Sequence, residues 1–122
     1  MERAKKWIPA IMVMVLIFII SSIPGQVINA VGLGDEDLHI NGHFILFFIL
    51  CLLLYKPTRN IPHTIVISLI YAISDELHQL YVPLRSASMF DVCTDTLGIL
   101  LAGVFLWKIL PYLPNRFKNY LS

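Results

Sequence analysis

The sequence predicts an all-α integral membrane protein in which four spanning helices form one bundle with both termini in the cytoplasm. Hydrophobic residues make up 57% of the 122 residues, charged residues make up 14%, and the mean hydropathy is +0.76. A soluble domain carries about 25% charged residues, because charge must cover its surface. Four apolar runs separated by helix breakers supply the spans, and a helix satisfies the backbone hydrogen bonds within each run.

Each run approaches the roughly 20 residues that a helix needs to cross about 30 Å of hydrocarbon. A proline lies just beyond the end of every run, at positions 24, 57, 83 and 111. The first run follows basic residues as in a signal peptide, but no small-residue cleavage site follows it, so we expect a permanent helix. We expect a single transmembrane domain over residues 1–122. The predicted spans are 7–23, 39–55, 61–82 and 88–110.

Lysine and arginine predict the orientation, because the cytoplasmic segments of membrane proteins carry an excess of both. The segment between the first two runs is acidic, and Arg85 is the one basic residue between the third and fourth runs. The N-terminus, the second connection and the C-terminus are therefore predicted to be cytoplasmic. The other eight basic residues all fall in these regions: Arg3, Lys5, Lys6, Lys56, Arg59, Lys108, Arg116 and Lys118.

Polar residues gather in the halves of the runs that this topology places on the extracytoplasmic side. An ionisable residue at the centre of a spanning helix costs about 2.5–3.5 kcal/mol on insertion scales, so such residues face the bundle interior and mark functional sites. Helical spacing puts them on shared faces. The third run carries the stripe Ser68, Ala72, Asp75, Glu76 and Gln79, and the fourth carries Asp91, Asp95, Gly98 and Ala102.

The negative charges in this region need compensation. Asp75, Glu76, Asp91 and Asp95 cannot all be ionised around the single guanidinium of Arg85 in a medium of low dielectric constant. Either at least one carboxyl group is protonated, or a divalent cation completes the site. The candidate metal ligands are His43, Glu76, Asp91 and Asp95.

The order of these residues resembles the VanZ-like family over about residues 15–105. The resemblance implies that His43, Glu76, Gln79, Arg85 and Asp91 occupy the positions of the family's functional residues. The family usually has Asn where Asp95 stands, often a basic residue at Ile40, and often Gly at Leu84. The motifs are Ser22-x-Pro24-Gly25, His43-Phe44, Glu76-x-x-Gln79-x-x-x-Pro83-x-Arg85 and Asp91-x-x-x-Asp95-x-x-Gly98.

The resemblance implies an association with resistance to teicoplanin-type glycopeptide antibiotics. Our first hypothesis is an extracytoplasmic site that binds or modifies an anionic lipid or a lipid-linked cell-wall precursor. His43, Glu76 and Asp91 would be the catalytic residues. The substrate would be bound by Ser22, Gln79, Arg85 and Asp95. The planar guanidinium group of Arg85 would donate hydrogen bonds to a phosphate of the substrate.

Two alternatives stay open at this point. One is a module that binds a lipid or the antibiotic without turnover, and the other is a subunit of an ion- or proton-coupled transporter. A nucleic-acid partner is not expected, because the net charge is only +1 and no basic patch is evident. Gly98 and Ala102 form a small-xxx-small pair, through which copies of the chain are predicted to associate.

The predicted topology can be tested by labelling single cysteines in a variant without Cys51 and Cys93. Cysteines at positions 37 and 85 should react with a membrane-impermeant thiol reagent in intact cells, because both positions lie on the extracytoplasmic side. A cysteine at position 59 should react only after permeabilisation. Labelling of position 59 in intact cells would contradict the orientation.

Overall fold

The computed structural model describes residues 2–23, 36–82 and 89–121, and these residues contain helices and no strand. Two turns of different winding, a π-helical turn at Phe105–Ile109 and a 3-10 turn at Leu110–Tyr112, follow the fifth α-helix. The four longest helices correspond to the four predicted spans. The α-helices are α1 (Glu2–Lys5), α2 (Ile8–Ser22), α3 (Glu36–Thr58), α4 (Ile61–Gln79), α5 (Met89–Val104) and α6 (Asn115–Leu121).

Helix α3 is longer than predicted at both ends. It begins at Glu36 rather than at residue 39, and it continues past Pro57 to Thr58. Proline lacks the N–H that would bind the carbonyl four residues earlier, but in the last turn of a helix this loss is small. The Thr58 hydroxyl donates to the Leu54 carbonyl at 2.9 Å, which satisfies one of the free carbonyls at this end.

The other ends differ from the prediction in smaller ways. Helix α4 ends at Gln79 rather than at residue 82, and its first turn is capped by the Asn60 side chain, which accepts from the His63 N–H at 3.0 Å. The fourth predicted span loses regular α-helical winding after Val104. Pro111 has no N–H to donate to a carbonyl of the preceding turn. The helix is therefore wound more loosely in the π-helical turn and more tightly in the 3-10 turn before it ends. The short helix α6 was not predicted.

Helix α3 packs against α2, α4 and α5, and α6 contacts its cytoplasmically predicted end. There the Lys56 ammonium group lies 4.4 Å from the centre of the Tyr120 ring. The buried apolar residues form one cluster along the middle of these helices. Its members are Ala10, Ile17, Phe47, Leu50, Cys51, Leu54, Ala72, Ile99 and Ala102.

The outward faces of the helices are apolar. On α2, Met12 is 66% exposed and Ile19 is 55% exposed, and α4 and α5 present a similar surface. Two helical stretches, Glu2–Ser22 and Asp91–Tyr112, are long and apolar enough to cross a membrane, and Gly42–Thr58 is a shorter apolar stretch. Such extensive exposed apolar surface is unusual for a soluble monomer and typical of a surface that another apolar phase covers.

Gly98 is the point of closest approach between α3 and α5. A Cβ atom at this position would lie 2.6 Å from the backbone carbonyl oxygen of Phe44, a distance that real Cβ contacts do not reach. Gly98 and Ala102 are both buried within the single chain. The small-residue pair therefore serves packing inside the chain, and association of copies through it, which would require this contact to open, stays a prediction.

We expect Gly98→Ala to lower the free energy of unfolding by about 1–3 kcal/mol, because the new methyl group meets rigid backbone. Gly103→Ala is the matched control. Its Cβ would lie 2.8 Å from the Ile65 Cδ1 atom, the flexible end of a side chain that can rotate away. Unfolding of the detergent-solubilised chain by sodium dodecyl sulfate would measure both changes, and an equal loss in the two variants would contradict the backbone contact.

Candidate functional site

Five buried polar side chains lie together at one end of the helices, which we call the polar end and define by Ser21, His43, Glu76, Gln79 and Asp95. Ser21 is in the last turn of α2, while Glu76 and Gln79 are in the last turn of α4. His43 lies two turns inside the start of α3, and Asp95 lies in the second turn of α5. All five side chains are buried.

The α4 stripe predicted from helical spacing is confirmed. All five residues of the stripe are buried, and so is Thr64, which lies one turn before Ser68. On α5, Asp95, Gly98 and Ala102 are buried, while Asp91 is only half-buried. The spacing identified the inward faces because a helix repeats every 3.6 residues.

His43 and Asp95 form a buried pair of an imidazole and a carboxyl group between α3 and α5. The His43 Nδ1 atom lies 3.4 Å from Asp95 Oδ1, and the two side chains are 6% and 0% exposed. The separation exceeds the 2.7–3.2 Å of an ordinary N–H···O hydrogen bond, so the contact is mainly electrostatic. Gly98, one turn beyond Asp95, allows the two helices to come this close.

Glu76 points into the same region from α4. It is 6% exposed, and neither of its carboxylate oxygens has a hydrogen-bond partner among the described residues. Asp91 and Asp95 are its acidic neighbours, and His43 is its basic neighbour. A buried carboxylate without a donor costs far more than one that is paired, and such groups therefore mark sites where a ligand, ion or proton is bound.

Gln79 links this region to α2. Its Nε2 atom donates to the Ser21 hydroxyl at 3.2 Å and lies 3.5 Å from Asp75 Oδ2. The carbonyl oxygen Oε1 of Gln79 is buried and has no donor in the described part of the chain. The polar end therefore contains acceptor oxygens from both Glu76 and Gln79 that lack donors among the residues that the structure describes.

Ser22 was predicted to bind the substrate, and this role stays a prediction; the residue lies beside the polar end rather than within it. Its hydroxyl lies 2.8 Å from His78 Nε2 and also donates to the Phe18 carbonyl of its own helix. The His78 ring stacks on Phe18 with 4.4 Å between the ring centres. This contact joins α2 to α4 on a face of α4 separate from the one that carries Glu76, as expected for a residue about 200° around the helix.

Ser21 is the residue of the polar end that the sequence reasoning did not select. The buried residues of α2 are Ala10, Ile17 and Ser21, which are spaced by seven and four residues and so lie on one helical face. Continuing this apolar face to the end of the helix would have identified Ser21 rather than Ser22. The signal was weak because α2 is apolar on every side.

Three of the four candidate metal ligands converge. One ligand atom each from His43, Glu76 and Asp95 can be chosen so that all three lie within 4.8 Å of one another, and all three residues are buried. Asp91 is an electrostatic neighbour of Glu76 and does not belong to this group. Arg85 and the side chains of His39 and Asn41 lie outside the described residues.

The sequence of residues 6–111 matches the family VanZ/LLP1. The chain belongs to the VanZ/LLP1 family. The match includes every residue of the polar end and all four long helices, and it confirms the resemblance seen in the motifs. Comparisons with curated proteins and with solved structures found no match.

VanZ/LLP1 membership and the two apolar helical stretches together indicate a membrane protein linked to antibiotic resistance. A membrane environment also explains why apolar side chains cover the outside of the protein while polar side chains are buried. In lipid, the apolar outer faces need no further cover, and the polar side chains have to face the interior. The polar end is then the part of this VanZ/LLP1 protein where chemistry or binding is expected.

The His43–Asp95 pair predicts an ordered series of stabilities at position 95. Asp95→Leu should cost about 3–5 kcal/mol of unfolding free energy, because it leaves the His43 side chain buried without its charged partner. Asp95→Asn keeps an oxygen of similar position and should cost less than half as much. The same detergent unfolding assay would measure both variants, and equal costs would show that His43 does not depend on the Asp95 oxygen.

Proposed function

We propose that this VanZ/LLP1 protein crosses the membrane four times and uses its polar end to bind or modify an anionic lipid or lipid-linked cell-wall precursor at the extracytoplasmic face. The observation that supports this most directly is Glu76, a buried carboxylate without a donor among the described residues, beside the His43–Asp95 pair. Structural contacts between helices do not need such a group, since polar contacts in membranes contribute only about 0.6 kcal/mol on average.

The distribution of charge supports the orientation. The basic residues of the described chain lie in or directly after α1, at or directly after the end of α3, in the π-helical turn after α5, and in α6, all at the ends of the helices opposite the polar end. The positive-inside rule then assigns the polar end to the extracytoplasmic side. Lipid headgroups and lipid-linked precursors are accessible at that depth, because Glu76 and Gln79 lie within the last turn of α4.

The residue types suit acid–base chemistry on such a ligand. Glu76 and His43 are close enough to act on one ligand atom, and Asp95 orients the His43 ring. Asp91 lies one turn before Asp95 and is a further acidic neighbour of Glu76. We further propose that Arg85, in the connection between α4 and α5, binds a phosphate of the ligand through its planar fork of donors.

A non-catalytic binding module would use the same residues, and the two functions differ in what a mild substitution does. In a catalytic site, Glu76→Gln removes proton transfer while it keeps the shape of the side chain. In a site that only binds a neutral part of a lipid or an acyl tail, the same substitution would have little effect. Glu76→Gln therefore separates the two.

Expression of the protein in a susceptible Gram-positive host should raise tolerance to teicoplanin more than tolerance to vancomycin, which lacks the long acyl tail. Glu76→Gln should lower the gain for teicoplanin at least tenfold relative to the wild-type chain, because the buried carboxylate is lost. Glu2→Gln is the matched control, since the Glu2 side chain is 86% exposed and pairs with Lys5 at the far end of the protein. The measurements are the minimum inhibitory concentrations of both drugs and the amount of protein in the membrane.

Equal changes for the two drugs, or none for either, would count against the proposal. Full activity of Glu76→Gln would remove Glu76 from the chemistry and favour the binding module. Loss of activity in both Glu76→Gln and Glu2→Gln would show that the effect is not specific to the polar end.

A further inference from the structure

We propose that His43, Glu76 and Asp95 bind one divalent ion of a first-row transition metal, with zinc or manganese as the best-suited ions. This inference deepens the proposed function and rests on the same site, because it names the group that balances the buried charge there. The three ligands come from three different helices, α3, α4 and α5. A bound ion would therefore join these helices at the polar end.

The distances fit a shared ion. Ligand atoms bonded to one zinc ion at about 2.1 Å in tetrahedral geometry lie about 3.4 Å apart. His43 Nδ1 and Asp95 Oδ1 are separated by 3.4 Å, and an oxygen of Glu76 completes a group whose members all lie within 4.8 Å. An ion bound by all three residues would draw the Glu76 oxygen towards the other two ligand atoms.

Two further observations support a bound cation. Both carboxylate oxygens of Glu76 are buried and lack a hydrogen-bond donor among the described residues, and the same is true of Oε1 of Gln79. Gln79 is 0% exposed and lies three residues after Glu76 on the same face of α4. Buried acceptor oxygens of this kind need positive charge or donors, and a divalent cation supplies positive charge to several of them at once.

The ligand set indicates which ions are suitable. Calcium and magnesium prefer ligand shells made only of oxygen, whereas an imidazole nitrogen is a common ligand of zinc and the other first-row metals. The two carboxylates favour zinc or manganese over copper(I), which prefers sulfur ligands. Three protein ligands leave at least one coordination position open, as in catalytic zinc sites, and an anionic oxygen of a lipid headgroup could occupy it.

The surroundings hold the ligands in place. The Gln79 Nε2 atom faces the Ser21 hydroxyl and Asp75 Oδ2. The Oε1 atom, on the other side of the amide, therefore points away from both groups. The close approach of α3 and α5 at Gly98 fixes the distance between His43 and Asp95. Such supporting contacts orient metal ligands in known sites, and their loss typically lowers metal affinity by about 10–100-fold.

The test uses the full chain, with Cys51 and Cys93 replaced by Ser, purified in detergent and stripped with a chelator. Zinc or manganese alone is then added, and bound metal is measured by calorimetry and by elemental analysis after desalting. We expect one ion per chain, and we expect Glu76→Gln to weaken binding at least 100-fold, because a direct ligand should matter at least as much as a supporting contact. Glu76→Gln keeps the size of the side chain and leaves the His43–Asp95 pair intact, so it should fold.

Two control variants match the ligand substitutions in kind. Glu2→Gln and His63→Gln replace exposed residues at the opposite end of the helices and should bind zinc as tightly as the parent chain, while His43→Gln should not. Equal affinity in Glu76→Gln, His43→Gln and the two controls would overturn the inference. Failure of the folded, stripped parent chain to bind either ion would overturn it too.

The result is independent of the antibiotic test. Metal binding that depends on Glu76 without any change in teicoplanin tolerance would support the metal site and count against the proposed function. Tolerance that depends on Glu76 in a chain that binds no metal would support the proposed function and overturn the metal site.

Discussion

The structure at the polar end depends on the close contact between α3 and α5 at Gly98. With no side chain at this position, the backbone of α5 approaches the carbonyl of Phe44, and one turn away Asp95 comes within 3.4 Å of His43. The pair brings an acid and an imidazole to a common depth between two helices. Helix α4 places Glu76 beside them, so side chains from three helices meet at the polar end.

The polarity of the protein is arranged around this contact. Glu76, Asp95 and Gln79 are buried, while apolar side chains such as Met12 and Ile19 cover the outside. In water this arrangement would expose apolar surface and bury charge, which are both unfavourable. In lipid the first term vanishes and the second remains, at about 2.5–3.5 kcal/mol for each charged group on insertion scales. The fold keeps these groups despite that free energy, which is the physical reason to expect that they bind something.

The sequence predicted the inward faces better than the helix ends. The stripe from Ser68 to Gln79 could be found because polar residues at helical spacing contrast with an apolar background. On α2 this contrast is missing, because the helix is apolar on every side, so the sequence reasoning did not select Ser21, which contacts Gln79. Pro57 was read as the end of α3, but proline is tolerated in a last turn whose carbonyls find other donors, and Thr58 provides one.

The periodicity of the sequence could not predict which residues of different helices contact each other. Spacing along one helix indicates which residues share a face, but it does not fix how far one helix is shifted along another. That shift decides that Asp95 rather than Asp91 meets His43, a difference of one turn. Gly98 was recognised as a site of close approach, yet its partner could have lain on a neighbouring helix or in another copy of the chain. The three-dimensional arrangement assigns it to Phe44.

Asp95 gives the site of this chain a specific character. The VanZ-like motif usually has Asn at this position, and an amide can accept a hydrogen bond from His43 but carries no charge. An aspartate beside His43 adds a second buried carboxylate close to Glu76, and the two repel each other unless positive charge lies between them. A proton on His43 supplies one unit of charge, whereas a divalent ion bound by all three residues supplies two and relieves the repulsion directly. A second buried carboxylate at position 95 is thus the local feature of this chain that favours the proposed cation.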